Sequence, residues 1–212
     1  IGGAAGRDGA YTTADPKPLK EGNIQPGNTL LMHAGASGLA SVVIPMAKAF
    51  GVRVITTVLS DEIAASIAHL HADVVVNTRK QDIAEVLRRE MEEGHPVDVA
   101  IDCLGGEVMG KCLHYLSHGA RWIMIATLAG DWTQIDMRNI YVRNVRIVGS
   151  TLRSRKPEVK AQILARLVRD IWPRVADGSV KPTIYKVLPI TEAAEAHDIL
   201  YRGENVGKVV LQ

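Results

Sequence analysis

Six short apolar, β-branched runs, at 29–33, 53–58, 73–77, 97–104, 121–126 and 145–150, alternate with helical patterns at 39–50, 61–71, 81–93, 108–116 and 137–141. Strands that are apolar almost throughout must be covered on both faces, and strand–helix alternation covers them with crossover helices. The alternation therefore predicts an α/β fold built on a doubly wound parallel sheet of six strands. At 212 residues the chain is long enough to bury roughly 70% of its unfolded surface. Pro45 falls inside the 39–50 pattern, where it removes a helical N–H and crowds the Ser41 carbonyl, so a kink or early break is expected there. Val42, Val43, Met46, Ala47 and Phe50 nevertheless keep helical spacing.

Beyond residue 150 the texture changes. Pro157 opens a long amphipathic helix with Val159, Ile163, Leu164, Leu167, Val168 and Ile171 on its apolar face, ending near Trp172-Pro173 or Asp177-Gly178. A strand at 184–188, a helix capped at Thr191-Glu192 and running through Leu200, and a strand at 208–211 follow, and these are expected to leave the main sheet. The first 28 residues are rich in Gly and Pro with little periodicity, and read as a linker or an incomplete segment.

The first strand runs into Ala34-Gly35-Ala36-Ser37-Gly38-Leu39-Ala40. Between a parallel strand and its crossover helix, Gly35 permits a tight turn, Gly38 lets main chain approach a pyrophosphate, and Ala40 lets helix and strand pack closely. The helix N-terminus then presents unpaired N–H groups and a partial positive charge. A Gly-x-x-Gly turn by itself also fits a turn that binds nothing. Ser37 has two readings as well: a contact to phosphate or a proton relay, or a turn serine that serves its own backbone.

Composition removes other classes. The 25 basic against 23 acidic residues leave a net charge of +2, which gives no argument for nucleic acid or an anionic membrane. No apolar run approaches the ~18 residues that span a bilayer, and no secretory leader pattern is seen at the N-terminus, so a cytoplasmic protein is expected. Cys103 and Cys112 form no Cys-x-x-Cys pair and the seven histidines show no ligand spacing, so no metal is expected. No tyrosine has a lysine four residues on, against a short-chain dehydrogenase. Val58 stands where a methyltransferase would carry a ribose-binding acid.

Four separated segments carry a family resemblance: Gln25 to Gly38, Ile101-Asp102-Cys103-Leu104-Gly105-Gly106, Gly149-Ser150-Thr151-Leu152-Arg153-Ser154-Arg155, and Asn205-Val206-Gly207-Lys208-Val209-Val210-Leu211. Over about residues 20 to 212 the chain resembles quinone oxidoreductases of the zinc-free branch of the medium-chain dehydrogenase/reductase superfamily. The resemblance implies a Rossmann domain at 23–150, a C-terminal part at 151–212 that closes on the cofactor and on a β-rich catalytic domain, and a remnant of that domain at 1–22. It implies that Gly35, Ser37, Gly38 and Leu39 hold the pyrophosphate, that the Asp102–Gly105 segment, with Cys103 and Gly105, lies near the adenosine and ribose, and that Ser60 binds the cofactor. By the same resemblance Ala126, Thr127 and Leu128 meet the nicotinamide, and Ser150, Leu152, Arg153, Asn205 and Lys208 close over the cofactor. A surface role without a partner is the other reading of Arg153.

The implied reaction is hydride transfer from NADPH, with NADH possible, to a quinone or an alkene conjugated to a carbonyl, in a homodimer. Enoyl-thioester reduction and a non-catalytic nucleotide-binding module are the alternatives. The chain departs from its relatives in three places. Val58 replaces the acid that would hold a ribose 2′-hydroxyl. Ile63 and Thr78 replace the lysine and tyrosine that would grip a 2′-phosphate, with Arg79 and Lys80 at hand as substitutes and Asp61 and Glu62 opposing. Only a remnant of the relatives' front β-rich domain is expected before Leu19, in a fragment of a longer enzyme or a truncated relative, so segment 184–188 is expected to lack packing partners and expose an apolar patch.

Overall fold

The computed structural model describes residues 24–178, 180–181 and 183–212; the segment 1–22 lies outside them. β1 (Thr29–Met32), β2 (Arg53–Val58), β3 (Val74–Asn77), β4 (Val97–Asp102), β5 (Leu116–Met124) and β6 (Arg146–Gly149) form one sheet in the order β3-β2-β1-β4-β5-β6. Every neighbouring pair is parallel. Side chains alternate across a strand, so Leu30 and Met32 enter one core layer with Val42, Val43, Ile44 and Met46, while Leu31 enters the other with Ile55, Leu87 and Trp122. The expected doubly wound sheet is thus present, with its chain reversal between β1 and β4. That junction is where such sheets bind ligands.

α1 (Ala40–Ala49) runs without interruption through Pro45, contrary to the expected break. Val42, Val43, Ile44, Met46 and Ala47 are all buried on this helix. Burying such side chains is worth about 1.5–3 kcal/mol each, which together exceeds the ~3 kcal/mol cost of an internal proline. The second predicted helix is shorter than its pattern: α2 (Asp61–Ser66) ends early and a 3-10 turn, Ala68–Leu70, follows before His71 adopts a left-handed conformation. α3 (Ile83–Glu92) is capped by Asp82, whose carboxylate accepts from Ala84 N–H. β4 stops at Asp102, two residues before its apolar run ends. The buried Asp102 carboxylate accepts from Leu104 N–H (2.7 Å), Gly105 N–H (3.0 Å) and Trp122 Nε1–H (2.9 Å), which turns the chain toward α4 (Gly106–Cys112). β5 begins five residues earlier than its apolar run because a register shift between Val97 and Val99 lets Leu116 pair with Val97.

α5 (Met137–Val142) leads into β6. α6 (Pro157–Asp170) buries only part of its expected face: Ile163, Leu167 and Ile171 join the core, whereas Leu164 and Val168 are exposed. The helix stops at Asp170 and a short α7 (Trp172–Ala176) follows, so both candidate ends correspond to real boundaries. β7 (Ile184–Leu188), α8 (Ala193–Arg202) and β8 (Lys208–Leu211) make a separate two-stranded parallel sheet, as expected. A 3-10 turn at Ile190–Glu192 leads into α8, and no side chain caps that helix, in contrast to the expected Thr191-Glu192 cap. The two sheets touch where Gly207 bridges Ser37 and donates its N–H to the Ala36 carbonyl (2.8 Å).

Candidate nucleotide site at the carboxyl edge of the sheet

At the end of β1 the backbone turns through Ala34, which is left-handed at φ 56°, so the strained residue of the turn is an alanine and not Gly35. Gly35 is required for a different reason. A Cβ there would lie 2.6 Å from Thr56 Oγ1, whose hydroxyl donates to the Met32 carbonyl inside the sheet. Its N–H donates to the Thr57 carbonyl (2.8 Å), tying the turn to β2. A Cβ at Gly38 would meet the Lys208 side chain at 2.6 Å, so the missing side chain there makes room for the lysine stem that β8 lays across the turn. Ser37 Oγ accepts from Ala40 N–H (3.1 Å), the backbone-serving role. The amides of Gly38 and Leu39 make no backbone hydrogen bond among the described residues, and the first turn of α1 carries no acidic side chain. An anion is therefore met by free donors and the positive end of α1.

The turn forms one end of a cavity of about 1,030 Å3. Ser37, Gly38, Leu128 and Asn205, all expected site residues, line it. Gly35 and Leu39 belong to the same turn. Ser60 caps α2, accepting from Ile63 N–H (3.2 Å). Cys103 and Gly105 flank cavity-lining Leu104, and the carbonyls of Cys103 and Leu104 accept from Leu128 N–H (3.0 Å) and Ala129 N–H (2.8 Å), so 126–129 is stapled to the turn after β4. Thr127 hydrogen-bonds Asp131, and Ala126 is half-buried beside it. Lys208 reaches the turn through its stem. Ser150, Leu152 and Arg153 do not reach the cavity wall: Ser150 N–H is held by the Met124 carbonyl (2.8 Å), and exposed Arg153 offers its own carbonyl to Lys160.

Sequence reasoning passed over several lining residues. His33, Thr57, Leu59, Ile83, Val108, Lys111, Leu200 and Gly203 complete the wall, and of these only His33 left a signal, as a polar residue ending an apolar strand. Burial lowers the His33 pKa against the opposing pull of Asp102. Burial, reinforced by Asp102, pushes the Cys103 thiol up to about 11, so it stays protonated and unreactive at neutral pH. Burial also lowers the Lys208 pKa. In the same wall, Val58 closes β2 and the exposed Arg79 and Lys80 stand beside Thr78. Asp61 is hydrogen-bonded by Lys80 and by Asn77, which lowers its pKa and holds the carboxylate charged, so that Lys80 is already engaged. The Arg79 guanidinium bonds to no group among the described residues. No cluster of three or more His, Cys, Asp or Glu side chains suited to a metal occurs among the described residues, and no described helix is long and apolar enough to cross a membrane.

A family model described as zinc-binding dehydrogenase matches residues 38–169, more than half of the chain. The chain is 26% identical over 216 residues to a phenolphthiocerol/phthiocerol polyketide synthase subunit of Mycobacterium tuberculosis, covering 95% of this chain and 9% of that protein. It is 26% identical over 202 residues to human quinone oxidoreductase, covering 95% of this chain and 59% of the enzyme. A solved 2-haloacrylate reductase superposes with a TM-score of 0.81 at 27% identity, over 98% of this chain and 64% of that one. The chain thus spans less than two thirds of each of these relatives. With its sheet order, glycine turn and matched segment, the chain belongs to the zinc-binding dehydrogenase family of the medium-chain dehydrogenase/reductase superfamily.

Proposed function

We propose that the chain is the nucleotide-binding part of a zinc-free, NADPH-dependent reductase acting on a quinone or an alkene conjugated to a carbonyl. One observation carries the reading: a single cavity is lined by Ser37 and Gly38 of the glycine turn, which carries free amides, and by Val58 and Arg79. Val58 offers no acceptor to a ribose 2′-hydroxyl, and Arg79 offers an unpaired cation to a 2′-phosphate. Gly38 and Leu39 hold the pyrophosphate, with Lys208 and Asn205 closing from β8 and its approach. Ala126, Thr127 and Leu128 orient the nicotinamide end. Cys103 and Gly105 shape the turn on which that segment rests, while Asp102, fully engaged by three donors, fixes the turn and takes no part in chemistry.

A reduced nicotinamide, when bound, supplies a hydride from its C4. The chain's own contribution is to hold that ring beside the segment 126–129, which is stapled to the turn after β4. The relatives named quinone oxidoreductase and 2-haloacrylate reductase support an electron-poor double bond as acceptor. The similarity to a polyketide synthase favours a second reading, reduction of an enoyl thioester. We place residues 23–150 as the nucleotide domain and 151–212 as the part that closes on it, in a cytoplasmic protein. Homodimerisation along β6 is supported by exposed Tyr141, Val142 and Ile147 at that edge of the sheet.

Turnover assays with NADPH against a simple quinone, 2-chloroacrylate and a crotonyl thioester separate these readings. Oxidation of NADPH by the first two supports the proposal, and thioester reduction alone replaces it with the second. Binding without turnover of any acceptor supports a nucleotide-binding module. The variant Arg79→Ala is expected to weaken NADPH binding about tenfold and leave NADH binding unchanged.

A further inference from the structure

The loop after β3 carries two cations to the end of β2. Val58 pairs with Asn77 in the sheet, and Thr78 donates its N–H (2.9 Å) and its hydroxyl (3.2 Å) to the Val58 carbonyl, so Arg79 and Lys80 are pinned beside a strand end that has no acid. Both line the cavity and both are exposed. Buried Asn77 uses each end of its amide: Oδ1 accepts from Arg79 N–H (3.1 Å), and Nδ2 donates to Asp61 Oδ1 (2.6 Å). The Arg79 amide can only donate, which fixes the orientation of the Asn77 side chain and leaves its NH2 for the carboxylate. The second Asp61 oxygen accepts from the Lys80 ammonium.

Charge at this corner is balanced. Arg79 and Lys80 stand against Asp61 and Glu62, the first two residues of α2. The hydrogen bond and charge of Asp61, with a smaller pull from Glu62, raise the Lys80 pKa. A ribose 2′-phosphate brings close to two negative charges into such a corner. An exposed ion pair is weak, so Lys80 is able to leave Asp61 for a phosphate. Asp61 opposes the phosphate in either position of Lys80. While the pair holds, the charge of Lys80 is neutralised; once the pair parts, a bare carboxylate that Asn77 keeps in place faces a like charge.

We infer that Asp61 is a specificity-determining residue that acts against the 2′-phosphate: by engaging Lys80 it leaves the phosphate to Arg79, and so narrows the preference for NADPH over NADH. The inference rests on the reading of this cavity as a nucleotide site. It assigns the preference to a balance between the loop after β3 and the start of α2, with Asn77 as the residue that positions both.

The test is fluorescence titration of the full 212-residue chain and its variants with NADPH and with NADH, at low and at high salt. Asp61→Asn keeps an oxygen for Asn77 and removes the charge. It is expected to tighten NADPH about three- to tenfold, to leave NADH within about twofold of wild type, and to lose most of the gain at about 0.5 M salt, where exposed charges are screened. Asp61→Ser, also neutral, carries the same expectation and keeps the test open should the first variant fold poorly. NADPH binding that is unchanged or weaker in both variants overturns the inference, and so does a gain that salt does not diminish. Weaker NADH binding overturns it as well, since the carboxylate would then be an acceptor for the ribose. In these cases binding of NADPH by the wild-type chain preserves the nucleotide reading; failure of the wild-type chain to bind either nucleotide overturns that reading and this inference together.

Discussion

The molecule contains two parallel sheets made from similar residues and treated in opposite ways. In the six-stranded sheet, β1 and β2 are buried almost end to end, with Leu30, Leu31, Met32, Val54 and Ile55 inaccessible to solvent. In the two-stranded sheet, β7 carries Ile184, Tyr185 and Val187 just as apolar, yet all three are exposed and only Leu188 is buried. Parallel strands are stable when both faces are covered. The first sheet is covered by its own helices; β7–β8 has α8 on one face and an apolar surface on the other, of the kind that marks an interaction site. The contrast teaches where folding energy resides: the nucleotide site is built on the self-sufficient sheet, and the second sheet reaches it through Gly207 and Lys208.

Truncation should expose the difference most sharply. Leu31→Ala is expected to cost about 2–5 kcal/mol in urea unfolding, and Val187→Ala less than about 0.5 kcal/mol; equal costs would erase the distinction between the sheets. Next in size is Gly207→Ala. At φ 90° and with its Cβ 2.3 Å from the Thr183 carbonyl oxygen, it is expected to cost about 1–3 kcal/mol. Hydrogen exchange should show the amides of β8 opening while those of β1 stay protected.

A pH effect comes third. The His33 pKa in the folded chain lies below its ordinary 6.5 because burial disfavours the charged ring. Stability from this group is therefore complete above pH 6.5 and is lost as pH falls from 6.5 through the folded value, at up to ~1.4 kcal/mol per pH unit. His33→Gln should flatten that part of the stability profile, and an unchanged profile would mean that the ring is not held neutral. The smallest effect is expected for Tyr185→Ser combined with Val187→Ser: stability within about 0.5 kcal/mol of wild type, with the β6-edge homodimer retained and less association beyond it by analytical ultracentrifugation.

Local pattern revealed much of the large sheet, because fully apolar β-branched runs such as 53–58 fit only a strand covered twice. It also located the glycine turn and Val58, since both sit at strand ends that periodicity fixes. What it missed depends on contacts distant in the chain. Pro45 predicts a kink or an early break, and of these the break does not occur, because the buried residues around it hold the helix. Gly38 was read as space for a pyrophosphate, and only the path of β8 reveals that Lys208 approaches there. The left-handed residue is Ala34, where sequence preference favours its glycine neighbour. His33 showed only as a polar end to a strand; its unmatched nitrogen is visible once Thr57, 24 residues away, is brought beside it.

Equilibrium titration of the chain with NADPH and with NADH, followed by nucleotide fluorescence, tests the central claim most directly. The cavity between the glycine turn and Arg79 predicts saturable one-to-one binding of both, with NADPH about tenfold tighter. No binding of either nucleotide, or a clear preference for NADH, would contradict it.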